Sequence, residues 1–232
     1  MNKIGWIIFS AVAILLLVGL VAWTRATNPP IDLSGVENNS VLTGSIHSGN
    51  IADHTLGSEA NKVLLVEYGD YQCPSCAGAH PNVSSIMEEY GDDITFVFRN
   101  FPLTTIHPNA RAAAAVAEAA GLQGKFWEMH DLLFENQNDW SPLDATQRTN
   151  VFKGYATQLE LNIDTFNTDL TASDVNKKIN FDLALGKSAG ASATPTFFLN
   201  GQKLDDATST AIVQGNLDDV KVKLDAAIAE AR

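Results

Sequence analysis

The residues best suited to chemistry in this chain are Cys73 and Cys76, the only two cysteines among its 232 residues. Pro74 and Ser75 stand between them. A cysteine thiolate is a nucleophile, and a second thiol within bonding reach can displace it from a mixed disulfide. The spacing of the pair therefore predicts a redox-active dithiol that exchanges disulfide bonds with other thiols.

The elements predicted around the pair would place it at the start of a helix. Residues 63–68 form an apolar run (VLLVEY) typical of a buried strand, and a helical stretch follows up to Tyr90. At a helix N-terminus, unpaired backbone N–H groups and the positive end of the helix dipole favour a thiolate. Pro74 suits the first helical position because it has no N–H to leave unpaired. We expect Cys73 to be the more exposed, attacking sulfur and Cys76 to resolve the mixed disulfide.

A structural disulfide and a metal site are alternative interpretations of the same pair. A disulfide across so short a loop removes little unfolded-state entropy, so it would stabilise the fold only weakly. A copper or zinc site would use Cys73, Cys76 and His80, but a fourth ligand is hard to supply because C-x₂-C zinc sites usually come in pairs. A position on the helix surface or in the core is the simpler interpretation of His80. Covalent haem would need a histidine at position 77, where the chain has Ala77.

Charge and composition exclude one class of function. The formal net charge is −12, and residues 1–26 contain two bases and no acid, so the rest of the chain carries 13 bases against 27 acids. Nucleic-acid affinity comes from clustered Lys and Arg, so this acidic balance argues against a nucleic-acid partner. A hydrophobic fraction of 45% and a charged fraction of 18% are typical of a globular domain with its own core.

The N-terminus predicts a membrane anchor. Residues 4–23 are uncharged and mostly apolar, and a helix of this length spans the roughly 30 Å hydrocarbon core of a bilayer. Trp6 and Trp23 lie near its two ends, where indole side chains favour the membrane interface. The apolar part of a cleavable signal peptide is shorter, about 7–15 residues. We therefore predict an uncleaved transmembrane helix within residues 1–26, with the N-terminus cytoplasmic and the catalytic domain outside. Secretion after signal cleavage is the alternative.

The remainder is predicted to be a linker followed by one α/β domain. Residues 27–60 have no sustained period and are interrupted by proline, glycine and asparagine, so they are interpreted as linker and lead-in. In the domain, residues 61–232, a second strand at 94–99 follows the first strand and helix and completes a βαβ unit with parallel strands. The pattern of residues 108–189 is almost wholly helical.

The end of the chain returns to strands. Thr196–Leu199 is a predicted strand, Asn200–Gly201 is a type I′ hairpin signal, and residues 202–204 form the partner strand. Asn216 is predicted to cap a final helix. The order βαβ, helical block, ββα describes a small sheet that is interrupted by a helical insertion and preceded by one transmembrane helix.

Three stretches of the sequence resemble the bacterial DsbA-like thiol–disulfide oxidoreductases of the thioredoxin superfamily, and the long apolar N-terminus resembles their membrane-anchored forms. The matching stretches are DHTLGSEANKVLLVEYGDYQCPSCAGAH at 53–80, FRNFPL at 98–103 with His107–Pro108 after it, and ATPTFFLNG at 193–201. The resemblance extends over about residues 53–232. It implies a thioredoxin fold, an inserted helical domain at about 108–189 that helps to bind substrate, and the activity of a protein thiol–disulfide oxidoreductase.

The resemblance also assigns roles to residues around the cysteines. It implies that the Thr194–Pro195 bond is cis and packs beside the sulfurs, with the Thr194 backbone turned to pair with an extended substrate segment. It places a buried acid at Glu67 that shuttles a proton while Cys76 resolves the mixed disulfide, a role open to a carboxyl with a raised pKa. Without the resemblance, Pro195 is a strand-entry proline, and Glu67 is equally well an ion-paired or sheet-edge carboxylate.

These inferences combine into a predicted function. The Cys73–Cys76 disulfide would be donated, as in a DsbA-like oxidase, to reduced extracytoplasmic substrate proteins. A membrane quinone-linked partner of the DsbB-like or VKOR-like kind would restore it, residues 4–23 would hold the chain in the membrane, and no other cofactor or metal is expected. A thioredoxin-like reductase or an isomerase is the alternative, since one fold and motif serve all three.

Two details qualify this function. Pro74 and Ser75, the predicted support residues between the cysteines, carry no cation. We therefore expect a less depressed pKa for the Cys73 thiol than a histidine at position 75 would give. Some anchored members of the resembled family bind calcium, but no compact acidic loop here assigns such a site.

Overall fold

The computed structural model describes residues 3–27, 30–58 and 60–232. It forms two compact units, one that ends at Ser34 and one that runs from Gly35 to Arg232. The parts of the predicted anchor and linker that lie outside the described residues are Met1, Asn2, Asn28, Pro29 and Glu59.

The first unit consists mainly of one helix, α1, at Lys3–Thr27. Its large apolar side chains are exposed, with Trp6 at 59%, Leu15 at 70% and Trp23 at 67%. Across the described ranges, no helix combines the length and the apolar content that a membrane span requires. The predicted helix is therefore present, but the predicted transmembrane anchor within residues 1–26 is not supported.

The second unit is built on the predicted βαβ unit. Strand β2 (Val63–Gly69) pairs in parallel with strand β3 (Ile94–Asn100), and helix α2 (Pro74–Tyr90) connects them. Every residue of both strands is buried, as expected for parallel strands covered on both faces. Because only the short turn 70–73 separates β2 from α2, the N-terminus of the helix and both cysteines lie at the end of a central strand.

Three shorter strands complete the sheet. Strand β4 (Thr196–Leu199) pairs antiparallel with β2, strand β5 (Gln202–Lys203) pairs with β4, and strand β1 (His54–Leu56) pairs antiparallel with β3. The resulting order is β1-β3-β2-β4-β5. The β4–β5 hairpin matches its prediction, since Asn200 and Gly201 both have positive φ, at 49° and 79°. Strand β1 was not predicted because three residues are too few to show an alternating pattern.

The predicted helical insertion is confirmed between β3 and β4. It contains a short helix, α5, and five longer ones. The six helices are α3 (Ala110–Gly121), α4 (Phe126–Glu135), α5 (Gln137–Trp140), α6 (Ala145–Gln158), α7 (Ile163–Asp169) and α8 (Ser173–Ser188).

Two helices follow the hairpin, where the sequence predicted one. Helix α9 (Asp206–Gln214) was missed, and the final helix α10 (Asp218–Ala231) is preceded by Leu217, so Asn216 is not its cap. The Asn216 N–H instead donates to the Ala211 carbonyl, 2.9 Å away, behind a left-handed Gly215. Asn216 therefore closes the C-terminus of α9.

A buried ion cluster joins the predicted lead-in to the domain. Asp53 accepts from Arg99 Nη2 at 2.6 Å and from Lys178 Nζ at 3.0 Å, and Lys178 also donates to Asp182 at 2.8 Å. All four side chains are 1% exposed or less. The Leu42 N–H donates to Asp53 as well, at 3.0 Å. Residues 35–58, which fall within the predicted linker and lead-in at 27–60, are thus part of the compact unit.

Candidate active site

The turn between β2 and α2 presents the cysteines as the sequence predicts. Cys73 is the extended N-cap residue of α2, with φ −75° and ψ 122°, and Pro74 begins the helix. The Cys73 N–H donates to the Asp70 carbonyl at 3.0 Å. Gln137, in the helical insertion, donates to the carbonyls of Tyr71 at 2.7 Å and Cys73 at 3.0 Å. The insertion therefore holds the backbone on which the first sulfur sits.

The two sulfurs, both free thiols, face different surroundings. Cys73 is 7% exposed and Cys76 only 1%, so Cys73 is the more accessible sulfur, as expected. Cys73 Sγ lies 3.3 Å from the Thr194 carbonyl oxygen, to which the thiol donates when it is protonated. Cys76 Sγ accepts from the Asp70 N–H at 3.4 Å. One sulfur faces the Thr194–Pro195 segment that precedes β4, and the other is enclosed in the core.

These surroundings separate the pKa values of the two thiols. A hydrogen bond with Cys76 lowers the pKa of Cys73 to about 5, against the opposing effect of burial, and the Thr194 side chain and the backbone of Cys76 and Ser75 lower it further by smaller amounts. Burial raises the pKa of Cys76 well above its usual range, and its hydrogen bond to Cys73 adds to the rise. At neutral pH, Cys73 is therefore the thiolate and Cys76 retains its proton.

Glu67 lies behind the cysteines on the central strand β2. It is 3% exposed, and its Oε1 has no hydrogen-bond partner among the described residues. Burial and the nearby Cys73 charge raise the pKa of Glu67 to about 8, although its interaction with the Cys76 thiol lowers it somewhat. Its neighbours Phe98 and Phe197 flank it on β3 and β4, so it is not at a sheet edge. The structure has a buried acid here, as the resemblance implies.

The Thr194–Pro195 bond is cis, as the resemblance implies. Together with Ser75, these two residues line a shallow cleft of about 240 Å³ beside Cys73. The other residues lining the cleft all come from α9, and they are Asp206, Ser209, Thr210 and Val213. The sequence did not predict this side of the cleft because α9 itself was not predicted. The Asp205 N-cap, which accepts from the Thr208 N–H at 2.8 Å, was the available signal.

Asp70 and His107 fix the turn that leads into the cysteines. Asp70 Oδ2 lies 2.8 Å from His107 Nδ1 and accepts from the Leu103 N–H at 2.8 Å. Its other carboxylate oxygen accepts from the Gln72 N–H at 2.8 Å. Sequence analysis identified His107 only as part of the family pattern, whereas the structure shows it bonded to Asp70, whose N–H contacts Cys76.

His80 is directed away from the sulfurs. Its ring stacks on Phe134 of α4 at a centroid distance of 5.3 Å, and its Nε2 lies 3.5 Å from Asp131. Among the residues that the structure describes, the side chains placed to share a metal ion are His80, His130 and Asp131. The alternative site of Cys73, Cys76 and His80 is therefore not assembled.

Comparisons with known proteins identify the family and the fold that this chain shares. The sequence profile of the thioredoxin family matches residues 49–219. The chain is 41% identical over 151 residues to the Na(+)/H(+) antiporter NhaA 1 of Salinispora arenicola. The matched stretch covers 65% of this chain and 22% of the antiporter. It is 36% identical over 168 residues to the NhaA antiporter of Herminiimonas arsenicoxydans, covering 71% and 25%. The chain thus spans about a quarter of the length of the curated relatives it matches.

Solved structures show the same fold. BdbD from Bacillus subtilis has a TM-score of 0.65 and 24% identity, over 82% of this chain and 99% of BdbD. The thiol–disulfide exchange protein α-DsbA2 from Wolbachia pipientis has a TM-score of 0.62 and 19% identity, over 75% of this chain and 86% of α-DsbA2. At these identities the likeness is one of fold, and it confirms the predicted thioredoxin-like α/β architecture with a helical insertion.

Proposed function

The chain belongs to the thioredoxin family, and we propose that it is a DsbA-like protein thiol–disulfide oxidoreductase that acts as an oxidase outside the cytoplasm. The observation that carries the proposal is the opposite environment of the two sulfurs. Cys73 ends a β strand–helix turn beside Thr194 and has a pKa of about 5, whereas Cys76 is enclosed and keeps its proton. A stabilised Cys73 thiolate favours the reduced form of the pair, which makes its disulfide a stronger oxidant.

The first step transfers the disulfide to the substrate. A substrate thiolate attacks Cys73 Sγ of the Cys73–Cys76 disulfide, a new S–S bond forms at Cys73, and the bond to Cys76 breaks. The electron pair of the broken bond goes to Cys76, which needs a proton because the pKa of its thiol is far above neutral. Glu67, with a pKa of about 8, is protonated at pH 7 and supplies that proton as a general acid.

The second step releases the oxidised substrate. A second substrate thiolate attacks the substrate sulfur of the mixed disulfide, forms the substrate disulfide and expels Cys73 as thiolate. A thiol of low pKa leaves faster, so the pKa of about 5 favours this release. The enzyme gains two electrons. One of the two substrate protons ends on Cys76, by way of Glu67, and the other passes to solvent.

The cleft beside Cys73 is the proposed docking place for the substrate. An extended substrate segment would pair with the backbone of Thr194, in the manner of strand addition. Asp206, Ser209 and Thr210 give the opposite wall polar and acidic character. Reduced extracytoplasmic proteins are the proposed substrates, and a quinone-linked membrane protein of the DsbB-like or VKOR-like kind is the proposed reoxidant. The location outside the cytoplasm stays a prediction, argued from the persistence of disulfides there.

The decisive experiment is the reduction potential of the cysteine pair, measured at equilibrium with a glutathione buffer. The proposal expects a value more positive than about −200 mV, since DsbA lies near −120 mV and thioredoxin near −270 mV. A value at the thioredoxin end would overturn the oxidase assignment in favour of a reductase.

Trapping of mixed disulfides tests the roles of the two sulfurs separately. Cys76→Ser should accumulate a mixed disulfide with a disulfide-bonded protein substrate, because the attacking sulfur is present and the resolving one is absent. Cys73→Ser is the matched control and should trap nothing. Equal trapping by both variants would contradict the assignment of attack to Cys73.

A further inference from the structure

Three metal-ligating side chains meet where α2 packs against α4. His80 Nε2 lies 3.5 Å from Asp131 Oδ1, and the ligand atoms of His80, His130 and Asp131 all lie within 4.8 Å of one another. We propose that these three residues bind a divalent transition-metal ion of the zinc class, at a site separate from the cysteine pair. The inference goes beyond the proposed function and does not depend on it.

The spacing between His80 and Asp131 suits an ion better than a direct contact. At 3.5 Å, the nitrogen and oxygen are farther apart than in an ordinary hydrogen bond. Two tetrahedral ligands that each lie about 2.1 Å from a zinc ion are about 3.4 Å apart, which is close to the observed separation. Asp131 has a side chain that is 51% exposed, so it can turn to bring its oxygen toward His130.

Both imidazoles are held in place before any ion binds. The His130 ring is 4% exposed, and its Nδ1 lies 3.0 Å from the Tyr71 hydroxyl. Histidines that bind metals usually have the second ring nitrogen fixed by such a partner, which leaves the first nitrogen for the ion. His80 stacks on Phe134, and its ring centroid lies 5.3 Å from that of His130. The two rings are thus oriented before binding, and the exposed Asp131 side chain is the ligand that would move.

The chemistry of the donors selects the class of ion. Two imidazole nitrogens and one carboxylate suit zinc and similar divalent transition metals, whereas calcium and magnesium prefer sites made of oxygen atoms. Glu128 and Glu135 stand three residues before and four residues after Asp131 on α4, so acidic groups share its side of the helix. Three protein ligands leave one position of a tetrahedral ion open to water, at the half-exposed edge formed by Asp131.

An ion at this site would link the two parts of the domain that form the active site. His80 lies one turn beyond Cys76 on α2, and His130 and Asp131 belong to the helical insertion through α4. An ion that binds the folded state and not the unfolded state would stabilise the fold by mass action. The linkage would hold the helix that carries the cysteines against the insertion that supports the turn.

The test uses the full chain with both thiols removed, Cys73→Ser with Cys76→Ser, so that the cysteines cannot bind the metal. After treatment with a chelator, Co²⁺ is titrated and followed by its visible absorption, and Zn²⁺ is then used to displace it. The proposal expects one ion per chain. His80→Asn and Asp131→Asn, each added to this background, should weaken Co²⁺ binding at least about tenfold, because each removes a direct ligand.

Two controls separate a site from general metal affinity. His47→Asn removes an exposed histidine outside the cluster and should leave Co²⁺ binding unchanged. Asp131→Asn keeps the fold testable because its side chain is half exposed, and added Zn²⁺ should raise the Tm of the background chain by more than that of this variant. Co²⁺ binding of equal strength in all variants, or no stoichiometric binding to the background chain, would overturn the proposal.

Discussion

Asp53 and Glu67 are both buried carboxylates in one domain, yet their surroundings are opposite. Asp53 contacts two cations, Arg99 at 2.6 Å and Lys178 at 3.0 Å, and accepts a backbone N–H besides. Glu67 has an oxygen without any hydrogen-bond partner in the described part of the chain. Burial alone would raise the pKa of both acids, but Lys178 and Arg99 hold the pKa of Asp53 well below its usual range, whereas the pKa of Glu67 rises to about 8.

The difference shows that burial alone does not determine the pKa of a carboxyl group, and that its ion-pair and hydrogen-bond partners determine whether it stays ionised. The paired carboxylate stays ionised and fixes the lead-in, β3 and α8 to one another. The unpaired carboxylate takes up a proton near neutral pH and sits beside two sulfurs that exchange protons. One buried acid thus stabilises the fold and the other is placed to transfer protons. Removal of Asp53 should mainly lower the free energy of unfolding, and removal of Glu67 should mainly slow disulfide transfer.

The largest expected effect on stability comes from Asp53→Asn. This change leaves Arg99 and Lys178 charged and buried without their shared partner, so the free energy of unfolding should fall by about 3–5 kcal/mol. Urea denaturation at pH 7 measures it. Asp174→Asn is the control, because the exposed pair of Asp174 with Lys177 should contribute only about 0.2–1 kcal/mol. Equal losses in the two variants would contradict the distinction drawn from burial.

Glu67→Gln should slow catalysis while stabilising the fold at alkaline pH. Between the ordinary pKa of 4.5 and the folded value of about 8, the folded state holds a proton that the unfolded state has lost. Stability of the parent chain should therefore decline as pH rises through this window, and the glutamine variant should lack that decline. Loss of the general acid should reduce the rate of disulfide transfer at pH 7 about a hundredfold.

Two measurements check the Glu67 prediction. Chemical denaturation at a series of pH values gives the stability curve, and single-turnover oxidation of a reduced peptide gives the rate. The exposed Glu88→Gln on α2 is the matched control and should alter neither. An unchanged rate in Glu67→Gln would remove the proton-transfer role and leave Glu67 as a structural residue.

Ser75→His should have a smaller effect, which is a lower pKa of the Cys73 thiol. A histidine beside Cys73 adds a group that can carry positive charge and donate a hydrogen bond, so it should lower the pKa of the Cys73 thiol below about 5. A shift of one pKa unit corresponds to about 1.4 kcal/mol, or about 30 mV in the reduction potential of the pair. Ultraviolet absorption of the thiolate during a pH titration measures the shift. Ser75→Ala should leave the pKa near that of the parent, and an equal change in both variants would rule out charge as the cause.

The smallest effect is expected from Glu89→Gln. Glu89 pairs with Lys221 at 2.5 Å, shorter than either contact of Asp53, but these side chains are 50% and 34% exposed. Solvent screening should limit the loss to about 0.2–1 kcal/mol, and added salt should reduce it further. A loss as large as that of Asp53→Asn would mean that distance, and not burial, sets the strength of ion pairs in this domain.

Much of the fold was readable from the sequence because it rests on local patterns. The apolar run of β2, the proline at the start of α2 and the Asn200–Gly201 turn each carry their own signal over a few residues. The missed elements were β1 and α9. Strand β1 has only three residues, and α9 has a weak apolar pattern with two buried residues, Thr208 and Ile212. The contacts of the lead-in were not predicted because its anchor, Asp53, is a single charge whose partners lie 46 and 125 residues away.

The sequence by itself determined the reactive pair, its place at a strand–helix turn and the order of elements around it, since spacing and periodicity are local properties. Only the tertiary structure decided that Asp53 is paired with cations whereas Glu67 lies beside the sulfurs. It also decided that α9 lines the cleft beside Cys73, and that His80 lies near His130 and Asp131 instead of the sulfurs. These outcomes depend on contacts between residues distant in the chain. Packing brings such residues together, and the surroundings it creates set both pKa values and ligand geometry.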